Sequence, residues 1–507
     1  MFGKILSVSG LTLLSRLTGF ARDILLAAVL GAGALMDAFS VALRIPNHFR
    51  AIFGEGAFNQ AYIPSLTRIR TQAGAATAAL FANRIYTLML IVQVVLLALA
   101  LPLMPQIITL LAPGFVDDPA RFALAVTLTR ITFPYLLFIT LVTLLAGNLN
   151  SVDRFAAAAA APVLLNLCLV LALLVAFLFP SAAHAAAWGV ALAGLLEWLL
   201  LMLAARRAGV GAALARPRLD DDTRQFFRTL GPAVIGSAGV QIALFADTII
   251  ASLLPRGSYA ALYFAERLYQ LPIGVIAIGV GTVLLPTMSR HLAAGDAPRA
   301  HRQQNRAIGL TVQLAAPCLA AFVVMPELIV AGLFQYGAFD ASASRASAAV
   351  LLAYASGLPA IVLIRAVVSS FHARGDTRTP MLISLAAITI NIALKLLLWR
   401  SLGAPGLAYA TAAGAWINVI ALYLVARRRG WIAPDGVMVQ TCMIAAASAM
   451  IAGVAITLLL PVLASAFSSF ADWGRLMTLA FSSFTLLAVY GAILAVSMRL
   501  AGLTLRS

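Results

Sequence analysis

Long apolar runs, broken by short clusters of Gly, Pro and charged residues, follow one another from Ile5 to Leu500. A hydrocarbon core about 30 Å thick takes about 20 helical residues to cross, and these runs reach that length. Read as windows between breaks, they predict about fourteen membrane-spanning helices. The approximate bounds are 5–29, 35–63, 80–111, 122–148, 156–179, 185–205, 228–253, 259–286, 307–333, 346–371, 380–400, 404–426, 437–463 and 475–498. The expected fold class is an all-α polytopic membrane protein with almost no chain left for a soluble domain. Composition points the same way: 62% of residues are hydrophobic and 10% charged, where a soluble domain carries about a quarter charged.

The first run follows Lys4 as a signal peptide would, but Arg16 and Arg22 interrupt it, so it reads as a retained helix. Cys168, Cys318 and Cys442 lie far apart in apolar stretches and read as packing residues. A net charge of +17 raises nucleic acid as a partner, yet the placement of the charges answers differently. With the N-terminus inside, about twenty-two basic residues fall in cytoplasmic segments, among them Arg68, Arg206, Arg216, Arg228 and Arg427. The outer segments hold Arg121, Arg256, Arg345, Arg400 and Arg475. That asymmetry predicts an inner-membrane protein with both termini cytoplasmic, and no nucleic acid is needed to explain the charge.

Two halves of the chain look related, the first ending near Arg207 and the second running from about Thr223 to Arg427. Tyr62-Ile-Pro-Ser-Leu-Thr-Arg68 matches Leu284-Leu-Pro-Thr-Met-Ser-Arg290. Gly114-Phe115 echoes Gly337-Ala-Phe339, and Asn166 falls opposite Asn391. An even number of spans per half gives both the same orientation, with a substrate path expected between them.

Arg16, Arg22, Arg44, Arg50, Arg130, Arg267, Arg365 and Lys395 fall inside the predicted spans. Each costs about 2.5–3.5 kcal/mol at the centre of a lipid-facing helix, so several must face water or partners, which implies a hydrated cavity. Arg130 and Arg365 can instead snorkel to an interface. In the second span Asp37, Arg44, His48 and Glu55 fall within about 20° of one stripe at 100° per residue. Pro46, Gly54 and Gly56 should bend that helix. Glu266-Arg267 is followed by Pro272, Gly274, Gly279 and Gly281, a pattern suited to a flexing helix. Guanidinium groups donate paired hydrogen bonds that match phosphate, so the arginines favour an anionic, phosphate-bearing solute, with Asp23, Asp37 and Glu266 orienting them.

A membrane enzyme needs clustered carboxylates for Mg²⁺ or general-base work, and the candidate cluster, Asp220-Asp-Asp222, reads as a helix start. The sequence has no GxxxxGK[ST] motif for ATP. A non-transporting scaffold leaves the inward arginines unexplained.

Several motifs then resemble one family. Ser15-Arg16-Leu-Thr-Gly-Phe-Ala-Arg22-Asp23, Asp37-Ala-Phe, Arg44-Ile-Pro-Asn47, Arg50, Glu55-Gly-Ala-Phe-Asn-Gln60 and Tyr62-Ile-Pro64 are similar to the MurJ (MviN) family. The likeness continues through Gly231-Pro232, Gln241, Ala265-Glu-Arg267, Pro272 to Pro286, Phe334-Gln-Tyr-Gly337 and Pro380. The resemblance implies a lipid II flippase of the multidrug/oligosaccharidyl-lipid/polysaccharide exporter superfamily, working by alternating access, without enzymatic activity, cofactor or metal. It implies a lobe over residues 1–210, a second over 211–430 and a lipid-tail groove in 431–507. The implied substrate is undecaprenyl-diphosphate-linked disaccharide peptide, with membrane lipids and other cell-wall synthesis proteins as candidate partners. The family positions matching Arg16, Arg22, Arg50, Arg267 and Asp37 would meet its headgroup, and the charges read directly from the spans add Asp23, Arg44 and Glu55 as candidate substrate-binding residues. Some members bind Na⁺, and the matching positions here are Asp247, Asn391, Lys395 and Thr411. Lys395 stands where that pattern has a carboxylate, and this departure points either to a tethered cation paired with Asp247 and independence from sodium or to a lysine that snorkels to the outer interface without meeting Asp247. An exporter of another lipid-linked oligosaccharide, or of drugs, is the alternative within the superfamily.

Overall fold

The computed structural model describes residues 2–50 and 57–503, and among these residues all regular structure is helical. Seventeen α-helices carry the predicted windows. They are α1 (Phe2–Leu30), α2 (Ala34–Arg50), α3 (Ala57–Ala100), α4 (Met104–Leu111), α5 (Pro119–Thr132), α6 (Tyr135–Asn150), α7 (Ala156–Leu174), α8 (Ala182–Arg207) and α9 (Asp221–Ser252). The chain continues with α10 (Ser258–Ala293), α11 (Ala297–Val324), α12 (Pro326–Phe334), α13 (Ala341–Ala355), α14 (Leu358–His372), α15 (Arg378–Arg428), α16 (Gly436–Ala466) and α17 (Ala471–Leu500). Among the described residues, nine helical stretches are long and apolar enough to cross a membrane.

The breaks follow local chemistry. α15 turns sharply at Gly403, whose φ of 61° and ψ of −140° suit a residue without Cβ, at the break expected between two spans. Leu110, Phe177, Leu397, Leu458 and Phe484 are each more than two-thirds exposed. Such side chains belong against lipid, since a water-facing surface rarely presents so many. α9 begins where Asp220 accepts a hydrogen bond from the Thr223 N–H, with Asp221 and Asp222 in the first turn. The aspartate cluster is thus a helix cap, completed by ion pairs of Arg84 with Asp220 and of Arg68 with Asp222.

Packing divides the chain into two compact units, Met1–Tyr259 and Ala260–Ser507. In the first, α7 and α8 pack on each other, α1 lies on α7, α6 on α8, α2 on α5, and α9 on α3. In the second, α16 packs on α11 and α17, α12 on α13 and α17, and α14 on α15. This division falls later than the boundary expected near residue 210, and α9 packs back on α3 and on the 3-10 turn Pro113–Phe115.

Candidate functional site

The polar stripe of α2 has a defined set of neighbours. Asp37, in its first turn, is fully buried; one carboxylate oxygen accepts from the Gly257 N–H at 2.7 Å and lies 2.9 Å from the Arg121 guanidinium. Arg121 sits in the first turn of α5 because Pro119 starts that helix and Asp118 caps it, accepting from the Arg121 N–H. Its guanidinium lies over the Phe115 ring, 3.7 Å from the centroid. Further along α2, Arg44 lies 4.9 Å over the Tyr259 ring and His48 lies 4.8 Å from Phe245. The face predicted by seven- and four-residue spacing therefore meets residues 245–259, at the end of α9 and the start of α10. Pro46 lies inside α2 without ending it. Arg50 is the last residue of α2, and Glu55 falls outside the described residues.

Three close approaches bind the same end of this unit. A Cβ at Gly114 would stand 2.3 Å from the Ser252 carbonyl oxygen, so the backbones meet where only glycine fits. Arg256 donates to Asp118 at 2.6 Å, and Gly257 approaches the Ala32 carbonyl. The Arg256 hydrogen bond, aided by the Arg121 N–H and both guanidinium charges, holds the Asp118 carboxyl below the ordinary range.

On α1, Arg16 is exposed, whereas Arg22 is only 12% exposed at its side chain. Arg22 donates to the buried Asp23 at 2.7 and 3.0 Å and to the Asn166 amide oxygen at 2.8 Å. Asn166 in turn donates to the Ser15 carbonyl and to Thr18. A guanidinium held on two sides keeps a fixed direction. In the second unit Arg267 lies 4.7 Å over the Tyr263 ring, and Glu266 accepts from Gln270 at 2.9 Å.

The residues matched to an ion site are divided between the units. Asp247 is half-buried on α9 in the first. In the second, Asn391 packs against Gly414 across the α15 bend, Thr411 donates to the Leu407 carbonyl, and Lys395 is buried. A buried ammonium one turn from Asn391 does not fit a resident Na⁺, which wants oxygen donors and no neighbouring cation. A groove of about 710 Å³ also lies in the second unit, walled by α11, α14 and α16 through residues such as Leu319, Val323, Val362, Met443, Met450 and Val454.

Two residues escaped the sequence reading. Arg121 was counted among the outer-segment charges, and its burial against Asp37 depends on how α2 packs on α5. The Asp118-Pro119 helix start was the one local signal that placed it on a helix. Asn166 was visible only as the counterpart of Asn391, not as a ligand of Arg22.

Known proteins give the context. The sequence profile described as "Lipid II flippase MurJ" matches residues 26–488. A protein of Rhizobium meliloti named "Probable lipid II flippase MurJ" is 41% identical over 433 residues, spanning 84% of this chain and 81% of its own. The "Lipid II flippase MurJ" of Burkholderia cenocepacia is 33% identical over 440 residues, covering 86% of this chain and 85% of its own. Among solved structures, "Lipid II flippase MurJ, inward closed conformation" superposes with a TM-score of 0.81 at 22% identity, covering 97% of this chain and 98% of that one. A multidrug resistance MATE family transporter of the MOP superfamily, inward-facing, gives 0.66 at 15% identity, covering 84% and 97%. These two likenesses show the fold.

Proposed function

We propose that this chain, which belongs to the lipid II flippase MurJ family, moves lipid II across the bacterial inner membrane by alternating access. The observation that carries this reading is the family match over residues 26–488. It coincides with a guanidinium, that of Arg22, held inside a multi-pass membrane protein, where a buried charge must be matched to a purpose. Arg16, Arg22, Arg50 and Arg267 are the proposed contacts to the diphosphate and sugars. Asp23 orients Arg22, Arg44 and Glu55 flank the contacts, and Asp37 supports the same helix through Arg121. The polyprenyl tail would stay in lipid, and the apolar groove of α11, α14 and α16 supplies a surface of matching chemistry. Both termini are proposed to be cytoplasmic, with the basic loops holding that orientation.

The test is reconstitution in liposomes with labelled lipid II, scored by its access to an external enzyme. Arg22→Lys should flip poorly although it keeps the charge, because the paired donors are lost. Full activity of the Arg22→Ala, Arg50→Ala and Arg267→Ala variants would remove the binding assignment. Movement of a cationic drug in place of lipid II would favour the drug-exporter alternative. Replacing Na⁺ by K⁺ or choline should leave flipping unchanged, given the buried Lys395. A large loss would show that a sodium site operates after all.

A further inference from the structure

We infer that Asn166 is a positioning residue for headgroup binding: its side-chain amide sets the direction of the Arg22 guanidinium. The inference rests on the proposed function for the identity of the headgroup, while the arrangement of the two side chains stands by itself.

Asn166 lies in the middle of α7, where the other residues are Ala, Val, Leu, Pro and Cys168. It is 5% exposed, and a buried amide is costly unless its polar atoms are bonded. Its partners lie on α1, which packs on α7. Thr18, Gly19 and Arg22 follow Ser15 by three, four and seven residues, so the four share one face of that helix. The Asn166 Nδ2 donates to the Ser15 carbonyl at 2.9 Å and to the Thr18 hydroxyl oxygen at 3.2 Å. Its Oδ1 accepts from the Arg22 Nη1 at 2.8 Å. Between them, a Cβ at Gly19 would stand 3.2 Å from Nδ2, closer than such atoms ordinarily come.

These partners decide which way the amide faces. A backbone carbonyl only accepts and a guanidinium only donates, so turning the amide over would set Nδ2 against Arg22 and Oδ1 against the Ser15 carbonyl. The two halves of the amide therefore do different things. Donation to Ser15 and Thr18 joins α7 to α1, the ordinary use of an asparagine between membrane helices. Acceptance from Arg22 fixes a cation. The Arg22 Nε and Nη2 donate to the Asp23 Oδ1 at 3.0 and 2.7 Å, but Asp23 is the next residue on the same helix and turns with it. Asn166 comes from a different helix, so it is the contact that refers the guanidinium to the rest of the unit. A planar fork held at one edge from its own helix and at Nη1 from another has its plane set, and paired hydrogen bonds to phosphate depend on that plane.

Two measurements test this. Labelled lipid II is titrated onto the purified full chain in nanodiscs, where Asn166→Ala should weaken binding about tenfold, the scale of one hydrogen bond to a charged group. In an Arg22→Ala background the same change should alter binding by less than about twofold, because the guanidinium it holds is gone. An asparagine that only joined the helices would cost the same factor in both backgrounds, and that result overturns the proposal. Gly19→Ala keeps both side chains and crowds Nδ2; it should give a smaller loss of binding in the same direction, and it carries the test if Asn166→Ala does not fold. Nitrogen-15 spectra of the arginine side chains without lipid II, assigned with Arg22→Lys, should show two distinct Arg22 Nη signals that draw together in Asn166→Ala and, less, in Gly19→Ala. Signals equally separated in all three proteins would also overturn it. Equal binding of lipid II by the wild type and Arg22→Ala would count against the headgroup reading, and the nitrogen signals, which need no lipid, would still decide whether Asn166 holds the guanidinium.

Discussion

An arginine–aspartate pair lies near each end of α9, and the two pairs are held in different ways. At its start, Arg68 and Asp222 are 38% and 36% exposed at their side chains, and Arg68 shares its donors with Gln225. Beyond its end, Asp37 and Arg121 are 0% and 3% exposed. Around them the backbone of Gly114 touches that of Ser252, and Gly257 donates to Asp37. The same chemical pair thus works in two regimes. An exposed pair is screened and exchanges readily with water, contributing about 0–1 kcal/mol. A buried pair has given up its hydration, so each member depends on the other. The Arg68–Asp222 pair can part and re-form at little cost, whereas the Asp37–Arg121 pair holds or opens together with the backbone contacts around it.

The largest effect should come from breaking the buried pair on one side. Arg121→Ala leaves Asp37 without its cation and should cost about 3–5 kcal/mol, read as a fall in thermal stability of the purified protein. Changing both partners together, Asp37→Asn with Arg121→Met, should recover most of that loss. If the double variant is as unstable as the single one, the pair is not what holds this end. A smaller loss is expected from Gly114→Ala, whose methyl would be forced onto the Ser252 carbonyl. Overpacking of that kind costs about 1–3 kcal/mol, and unchanged stability would show that the approach is loose. Arg68→Ala, at the exposed end, should change stability by less than about 1 kcal/mol; a loss as large as that of Arg121→Ala would erase the contrast between the ends.

The smallest effect concerns pH. Asp118 is held below the ordinary carboxylate range first by its hydrogen bond from Arg256. A depressed group contributes stability above its unfolded value, near about 3.9, and loses it as pH falls through the lower folded value. Protection of the amides in residues 114–118 against exchange, relative to their intrinsic rates, should therefore be flat above pH 5 and fall below about pH 4. Asp118→Asn should show the lower protection already at neutral pH. A profile that is the same in both proteins would mean that Asp118 does not close this end.

Much of the architecture was written in local pattern. Apolar windows of span length fixed where helices lie, because in hydrocarbon the backbone must satisfy its own hydrogen bonds. The break at Gly403 and the cap at Asp220 were legible for the same reason: each depends on residues within a turn of itself. The α2 stripe was legible as far as His48, since helical spacing decides which side chains share a face. What the stripe would meet was not. Asp37 takes Arg121 and the Gly257 N–H, and Arg22 takes Asn166. None of these partners lies within a helical turn of the residue it serves. Periodicity assigns a side chain to a face, but only the packing of α2 on α5, α1 on α7 and α8 on α6 decides what that face touches and whether water reaches it. That is why the sequence alone determined the membrane class, the helices and the charges that needed explaining. The tertiary structure decided which of those charges meet one another inside the bundle.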